Sequence, residues 1–256
     1  MEAKDRIIVA LDVDSIKKAI ALVEELSPYV GSFKIGLQLM HSILNSIIIP
    51  KKEEEAIKNL KDIRKLFSSL KRKIFWDGKF SDIPNTIKGA SEEVVKLGVK
   101  MFNLHACAGQ AAIKTAVENK GKSLLLGVTV LTSISDTECS SIYGNLSDSK
   151  VKQFALMLFD AGADGVICSP RELETLRDFR LLKVTPGVRP QWAVTEDQDP
   201  ERIMTPYEAI IGGVDYLVIG RPITNPPEEI GSSVEAVKLI VKEIEEAEKN
   251  IDEKYK

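Results

Sequence analysis

Short apolar runs rich in branched residues alternate with longer amphipathic stretches along this chain. Residues 6–12, Arg-Ile-Ile-Val-Ala-Leu-Asp, open the series as a buried strand, too short for a helix. A period of two puts Ile8, Ala10 and Asp12 on one face, so an acid ends the strand. Ile16, Ala19, Ile20, Val23 and Leu26 then recur at helical spacing, with Asp14 or Ser15 placed to cap the helix. Residues 30–37 predict a second strand, with Ser32, Lys34 and Gly36 facing one way and Phe33, Ile35 and Leu37 the other. Residues 38–72 exceed what one crossover helix needs. Their spacing predicts a helix over 38–47 and, after Pro50, a charged one that turns Ile57, Leu60, Ile63 or Arg64, Phe67 and Leu70 inward. The charge run at 51–55 reads as a solvated helix start.

Residues 73–86, Lys-Ile-Phe-Trp-Asp-Gly-Lys-Phe-Ser-Asp-Ile-Pro-Asn-Thr, begin as a third strand and end in charge. Phe75, Asp77 and Lys79 share one face; Ile74 and Trp76 share the other. Asp82 follows the strand's end, and Pro84 suits the first turn of a helix, where its missing N–H costs nothing. A helix over 86–97 stops at Gly98, and a strand over 99–105 carries Asn103 and His105 on one face. His105 reads as a hydrogen-bonded wall residue and His41 as helix surface. A helix over 108–118, a strand over 123–131 ending in Thr132-Ser133, a polar loop over 134–149 and a helix over 151–161 come next. A sixth strand spans 164–168, with Ser169-Pro170 capping another helix, and a seventh spans 181–185. Residues 186–200 have three prolines and no periodicity, as functional loops often do. A helix from Thr205-Pro206 to Ile211, a strand over 215–219 closed by Gly220-Arg221-Pro222, and a helix over 233–249 complete the chain.

Eight strand–helix units predict an α/β fold, a single (β/α)8 TIM barrel with residues 1–256 as one domain. A doubly wound open sheet is the alternative. Its Gly-rich dinucleotide fingerprint is absent after the first strand, where Asp-Val-Asp stands. In a barrel, catalytic groups gather at the C-terminal ends of the strands. Asp12, Lys34, Asp77, Lys79, Thr132, Ser133 and Arg221 all fall there, and Gly220-Arg221 follows the strand where barrels often bind phosphate. Two acids bracketing Lys79 would be costly to place together for stability alone, although isolated Asp, Lys and Ser residues are ordinary in turns.

Composition narrows the classes further. A net charge of −3 lacks the basic excess of a nucleic-acid or anionic-membrane surface, while leaving room for a local anion pocket. Three cysteines outside any CxxC spacing suit a reducing compartment and neither a disulfide framework nor metal ligation. The charged N-terminus is unlike a signal peptide, and no apolar run approaches the ~20 residues of a membrane span. The expectation is a cytoplasmic protein.

Over essentially its whole length the chain resembles the orotidine 5′-phosphate decarboxylase family. The most specific stretch is Asp-x-Lys-x-x-Asp-Ile-Pro-Asn-Thr at 77–86. Leu-Thr-Ser at 131–133, Thr-Pro-Gly-Val-Arg at 185–189, Asp-Gln at 197–198 and Ile-Gly-Arg-Pro-Ile at 219–223 accompany it. The resemblance implies cofactor-free conversion of orotidine 5′-phosphate to UMP, with no metal and with Lys79 as proton donor to C6. It implies an alternating array of Lys34, Asp77, Lys79 and Asp82, in a homodimer where Asp82 and Thr86 reach the partner's active site. Asp12 and Lys34 would hold ribose hydroxyls, and Thr132 and Ser133 the pyrimidine. Pro186 would line the substrate site, and Arg189, Gln198, Gly220 and Arg221 would grip phosphate under a 187–199 lid. Gln191 could share the role of Gln198. Two departures stand out: Gly78 replaces an aliphatic residue, and residues 45–73 are longer than the family pattern. Two rivals remain. One is the sister group of Mg-dependent 3-keto-gulonate-phosphate decarboxylases and hexulose-phosphate synthases; the other is a non-catalytic phosphate-binding barrel.

Overall fold

A computed structural model describes residues 1–50, 52–194 and 203–254. A 3-10 turn at Ala3–Arg6 leads into β1 (Ile7–Ala10), and α1 (Ile16–Leu26) returns to β2 (Ser32–Ile35). Ser15 caps α1 by accepting the Lys18 N–H, while Asp14 pairs with the Lys18 ammonium instead. α2 (Leu37–Ile48) and α3 (Glu53–Leu70) form the long crossover to β3 (Ile74–Phe80). α4 (Pro84–Lys96) ends at Gly98, whose φ of +70° suits a residue without Cβ. β4 (Met101–His105), α5 (Gln110–Asn119), β5 (Leu124–Val128), α6 (Asp136–Tyr143), α7 (Ser147–Ala161), β6 (Gly165–Ile167) and β7 (Leu182–Pro186) follow. The chain closes with α8 (Pro206–Ile211), β8 (Tyr216–Ile219), the single turn α9 (Arg221–Thr224) and α10 (Ser233–Lys254).

The eight strands pair in parallel and in chain order, and β8 returns to β1 through Ile7↔Leu217, Ile8↔Val218 and Val9↔Ile219. The sheet is a closed barrel, so the open-sheet alternative falls. Period-two alternation sorts the strand residues into two layers. Ile8, Ala10, Phe75, Met101, Leu126, Val184, Tyr216 and Val218 fill the interior. Ile7, Val9, Phe33, Ile35, Ile74, Phe102, Leu104 and Leu125 face outward, under the helices. Each fully buried Ile, Leu or Phe side chain contributes on the order of 1.5–3 kcal/mol by leaving water. This plug of apolar side chains is what confines polar chemistry to the upper strand ends.

Two local expectations are corrected. The polar segment after β5 is not all loop. Ser135 and Glu138 form a reciprocal capping box that starts α6, and Gly144 in the left-handed region ends it. α7 accordingly begins at Ser147. Conversely, Ser169-Pro170 starts only a 3-10 turn, Pro170–Glu172, and no α-helix separates β6 from β7. The Glu172 carboxylate folds back onto the Ser169 N–H at 3.0 Å, and the turns beyond it tuck Leu173 and Leu176 into the core. Burying those two leucines within a short connection competes with helix propagation.

Candidate active site

β3 is the spine of the site. It pairs with β4 at Trp76↔Phe102 and next at Phe80↔Leu104, so it advances four residues while β4 advances two. The slack forms a bulge, a device that re-aims side chains. Within the bulge Lys79 takes a φ of +48°. For a residue with a side chain that conformation costs on the order of 1–3 kcal/mol and needs local support. Asn103 provides it: Lys79 N–H donates to Asn103 Oδ1 at 2.7 Å. Gly78 leaves room here, because a Cβ would sit 2.7 Å from Phe80 Cε1 and 3.1 Å from Trp76 Nε1, so one of those rings would have to shift. That contact gives a reason for glycine where the family pattern has an aliphatic residue.

Four charged groups from three strands alternate in sign across the barrel mouth. Lys34 Nζ lies 3.0 Å from Asp12 Oδ1 and 3.1 Å from Asp77 Oδ2, and Lys79 Nζ lies 2.6 Å from Asp77 Oδ1. Asn103 Nδ2 also donates to Asp77 Oδ1, at 2.7 Å. The side chains of Asp77 and Lys34 are only 8% and 13% exposed, so these pairs are poorly screened by water. Burial works against the Asp77 charge, but Lys34, Lys79 and the Asn103 hydrogen bond outweigh it and hold the carboxyl below its ordinary range. Burial likewise opposes the charge on Lys34, and Asp77 and Asp12 together raise its pKa regardless. A unit-charge pair at ~4 Å is worth ~4 kcal/mol at an effective dielectric of ~20, enough to keep such an array ionised.

The array floors a cavity of about 520 Å³ at the C-terminal end of the barrel. Asp12, Lys34, Asp77, Lys79, Thr132, Pro186, Arg189, Gly220 and Arg221, all expected from sequence, line it. Phe75, Val128, Ile167 and Val218 supply apolar walls, and Arg189 and Arg221 add two guanidinium groups to the lining. The lining therefore combines apolar surface and charge suited to a planar ring with two cationic groups suited to an anion. His105 is half-buried near the array; burial and then the Lys79 charge lower its pKa, which fits a neutral wall residue.

Four expected contacts are not brought to this cavity within one chain. Asp82 and Thr86 are exposed on the segment beyond β3, where Asp82 Oδ1 accepts the Ile83 N–H at 2.7 Å. Ser133 lines an adjoining cavity with Thr132 rather than this one. Gln191 is exposed at the start of a 3-10 turn, Gln191–Ala193, and is not among the lining residues. Gln198 lies outside the described residues, as does the 195–199 part of the expected lid. Sequence reasoning placed Asn103 on the right face but gave it no function; the signal was its alignment with Asp77 across neighbouring strands. Among the described residues no group of three or more His, Cys, Asp or Glu side chains is placed to hold a metal ion, and no helix is long and apolar enough to cross a membrane.

Comparison with known proteins gives a consistent picture. The sequence model of the orotidine 5′-phosphate decarboxylase / HUMPS family matches residues 5–236. The chain is 40% identical to an orotidine 5′-phosphate decarboxylase of Syntrophomonas wolfei, over 96% of this chain and 100% of that one. It is 40% identical to another from Heliobacterium modesticaldum, over 96% and 98%. The crystal structure of orotidine 5′-phosphate decarboxylase from Lactobacillus acidophilus superposes with a TM-score of 0.68 at 31% identity, over 93% of this chain and 98% of the other.

Proposed function

The chain belongs to the orotidine 5′-phosphate decarboxylase / HUMPS family, and we propose that it converts orotidine 5′-phosphate to UMP with Lys79 as the proton donor. The reaction is a carboxy-lyase step of pyrimidine biosynthesis. The observation that carries the residue assignment is the Lys79–Asp77–Lys34 array, with its 2.6 Å ion pair at the floor of a cavity that also holds Arg189 and Arg221.

Breaking the C6–carboxylate bond leaves the electron pair on C6, in the ring plane, where ring resonance cannot spread it. Positive charge fixed beforehand at C6 is the remedy, because a preorganised ammonium needs no reorientation as the carbanion forms. Lys79 supplies that charge, then transfers a proton from Nζ to C6 as CO2 leaves, and the neutral amine regains a proton from solvent. Asp77, held ionised by two lysines, stands near the substrate carboxylate in this reading, and its charge favours departure of CO2. Asp12 and Lys34 hold the ribose hydroxyls, Thr132 takes the pyrimidine edge with Ser133 approaching from the adjoining cavity, and Pro186 lines the site. Arg189, Gly220 and Arg221 bind the phosphate, whose remote binding energy helps order the charged array.

The same reading makes the protein a homodimer in which Asp82 and Thr86 complete the partner's site. Their exposure outside their own cavity, beside an Ile83 that is 66% exposed, supports it. No cofactor is invoked: the lysines provide the charge a metal gives in the Mg-dependent sister enzymes, and the Asp12 and Asp77 carboxylates are engaged by Lys34. Free thiols at Cys107, Cys139 and Cys168 fit a cytoplasmic setting, and residues 1–256 form one barrel domain in this reading.

The test is loss of orotidine 5′-phosphate absorbance with purified protein in excess EDTA. UMP should form, and Lys79→Ala should lower turnover by roughly 10⁴-fold or more while UMP still binds. No conversion, or conversion restored only by Mg2+, would overturn the metal-free reading, and sugar-phosphate substrates would be tested next. Binding without turnover in the parent would make it a phosphate-binding barrel.

A further inference from the structure

Asn103 has no role in the scheme above, yet it touches both members of the central ion pair. It is fully buried in the middle of β4, and a buried side-chain amide is tolerated when both of its ends find partners. Here Oδ1 accepts the backbone N–H of Lys79, and Nδ2 donates to the carboxylate of Asp77, both at 2.7 Å. We propose that Asn103 is the positioning residue of this site, one amide fixing both the backbone turn that aims Lys79 and the rotation of the Asp77 carboxylate. The inference rests on the decarboxylase reading and deepens it.

The strand register explains why the residue is needed. The slip between β3 and β4 takes Lys79 out of the ladder, which resumes only at Phe80↔Leu104. A buried N–H left without an acceptor would be costly, and Asn103 Oδ1 replaces the missing one. Were Lys79 to relax from φ +48° to an extended conformation, the bulge would be lost and its side chain would leave the direction that now brings Nζ to Asp77 Oδ1. The second bond completes the clamp. Asp77 Oδ1 receives Lys79 Nζ and Asn103 Nδ2 while Oδ2 receives Lys34 Nζ, so rotation of the carboxylate would break all three contacts. A residue that only filled space on β4 would need neither polar end.

Two variants separate positioning from structural support. Asn103→Ala removes both bonds, and the expected result is a folded protein with kcat lowered by about 100-fold and KM within about threefold, the pattern of a displaced reacting group. Asn103→Asp keeps the shape and the acceptor for Lys79 N–H but sets a second carboxyl against Asp77. The titratable groups around that position are Asp77 and Lys79 on β3, which Asn103 touches, the neutral His105 on β4, and Lys34 on β2 and Asp12 beyond β1, which join through Asp77; β5 carries no titratable residue. Two carboxyls at that distance resist ionising together, so the acid limb of the kcat profile should rise by about one pH unit or more. A crystal structure of Asn103→Ala should also show Lys79 out of the positive-φ region.

Folded variants with kcat within about threefold of the parent and an unmoved acid limb would overturn the proposal. Failure of both variants to fold would overturn it too, making Asn103 a fold determinant. Failure of the parent to decarboxylate in EDTA would instead sink the functional reading, leaving the Lys79 backbone in the variant structure as a separate measure of the clamp.

Discussion

Asp77 and Lys79 are two residues apart on one strand, and their charged ends meet at 2.6 Å within the stretch where the backbone leaves the sheet register. The pair is open at one end and locked at the other: Lys79 keeps a third of its side chain exposed to the cavity, while Asp77 is buried against Lys34. A nearly fixed anion thus holds a cation that can reach a substrate.

Asp77→Asn should lower kcat by roughly 10²–10³-fold, because the variant loses the charge that orders both lysines. It should also destabilise the fold at neutral pH by about 2–4 kcal/mol, since Lys34 would keep only Asp12 as a counter-ion. The pH dependence has a definite sign. The Asp77 pKa is lowered in the folded state, so its contribution is present above the ordinary carboxylate range and is lost as pH falls through the folded value. Urea unfolding of the two proteins should therefore differ most near neutrality and converge in acid. A constant gap would contradict this account.

Glu172 should show the opposite sign. Burial lifts its carboxyl from 4.5 to about 7, against hydrogen bonds from Ser169 that favour the charge. Between those values the folded protein retains a proton that the unfolded chain has released, so stability declines as pH rises through that window and levels off above it. At ~1.4 kcal/mol per unit the loss reaches about 3 kcal/mol. Glu172→Gln keeps a carbonyl oxygen for the Ser169 cap, and at pH 8 it should be more stable than the parent by ~1–3 kcal/mol. At pH 4 the difference should vanish. Equal stabilities at both pH values would show that the carboxyl is ordinary.

Gly78→Ala should cost about 1–3 kcal/mol and reduce turnover several-fold, because the new Cβ would strike Phe80 on the strand that aims Lys79. Shortening the obstacle should relieve it: with Phe80→Leu in the background, the cost of Gly78→Ala should fall by ~0.5 kcal/mol or more, a coupling that a double-mutant cycle reads directly. Additive effects would place the strain elsewhere.

The barrel and its charged mouth were legible in sequence for one physical reason. In a strand the period is two, so counting back from a charged end assigns a face; Lys34 and Asp77 fell on the interior face that way, whereas Asp12 beyond β1 and Lys79 within the bulge reach the same cavity where the regular period has ended. Features that depend on contacts between distant segments were not legible. Asn103 looks like any polar residue in a strand until the β3 bulge sets Lys79 opposite it. The 3-10 turn after β6 follows from where Leu173 and Leu176 are buried, which local propensity does not encode. α6 is a different case. Its capping box, Ser135 to Glu138, and its terminal Gly144 lie in plain sequence, and polarity alone argued for a loop.

Asp82 and Thr86 pose the remaining question, because in one chain neither reaches the cavity. If they complete a partner's site, two inactive variants should rescue each other. A Lys79→Ala chain still offers Asp82 to its partner, and an Asp82→Ala chain still keeps Lys79 in its own cavity. A hybrid dimer of the two contains one site with both residues and one with neither. Under random pairing half the dimers are hybrids with one intact site of two, so co-refolded protein should recover roughly a quarter of the parent's activity per site. If Asp82 served its own chain, no hybrid would hold a complete site and the mixture would stay as inactive as its components. The activity of the mixture therefore decides whether the exposed turn after β3 belongs to one active site or to the neighbouring one.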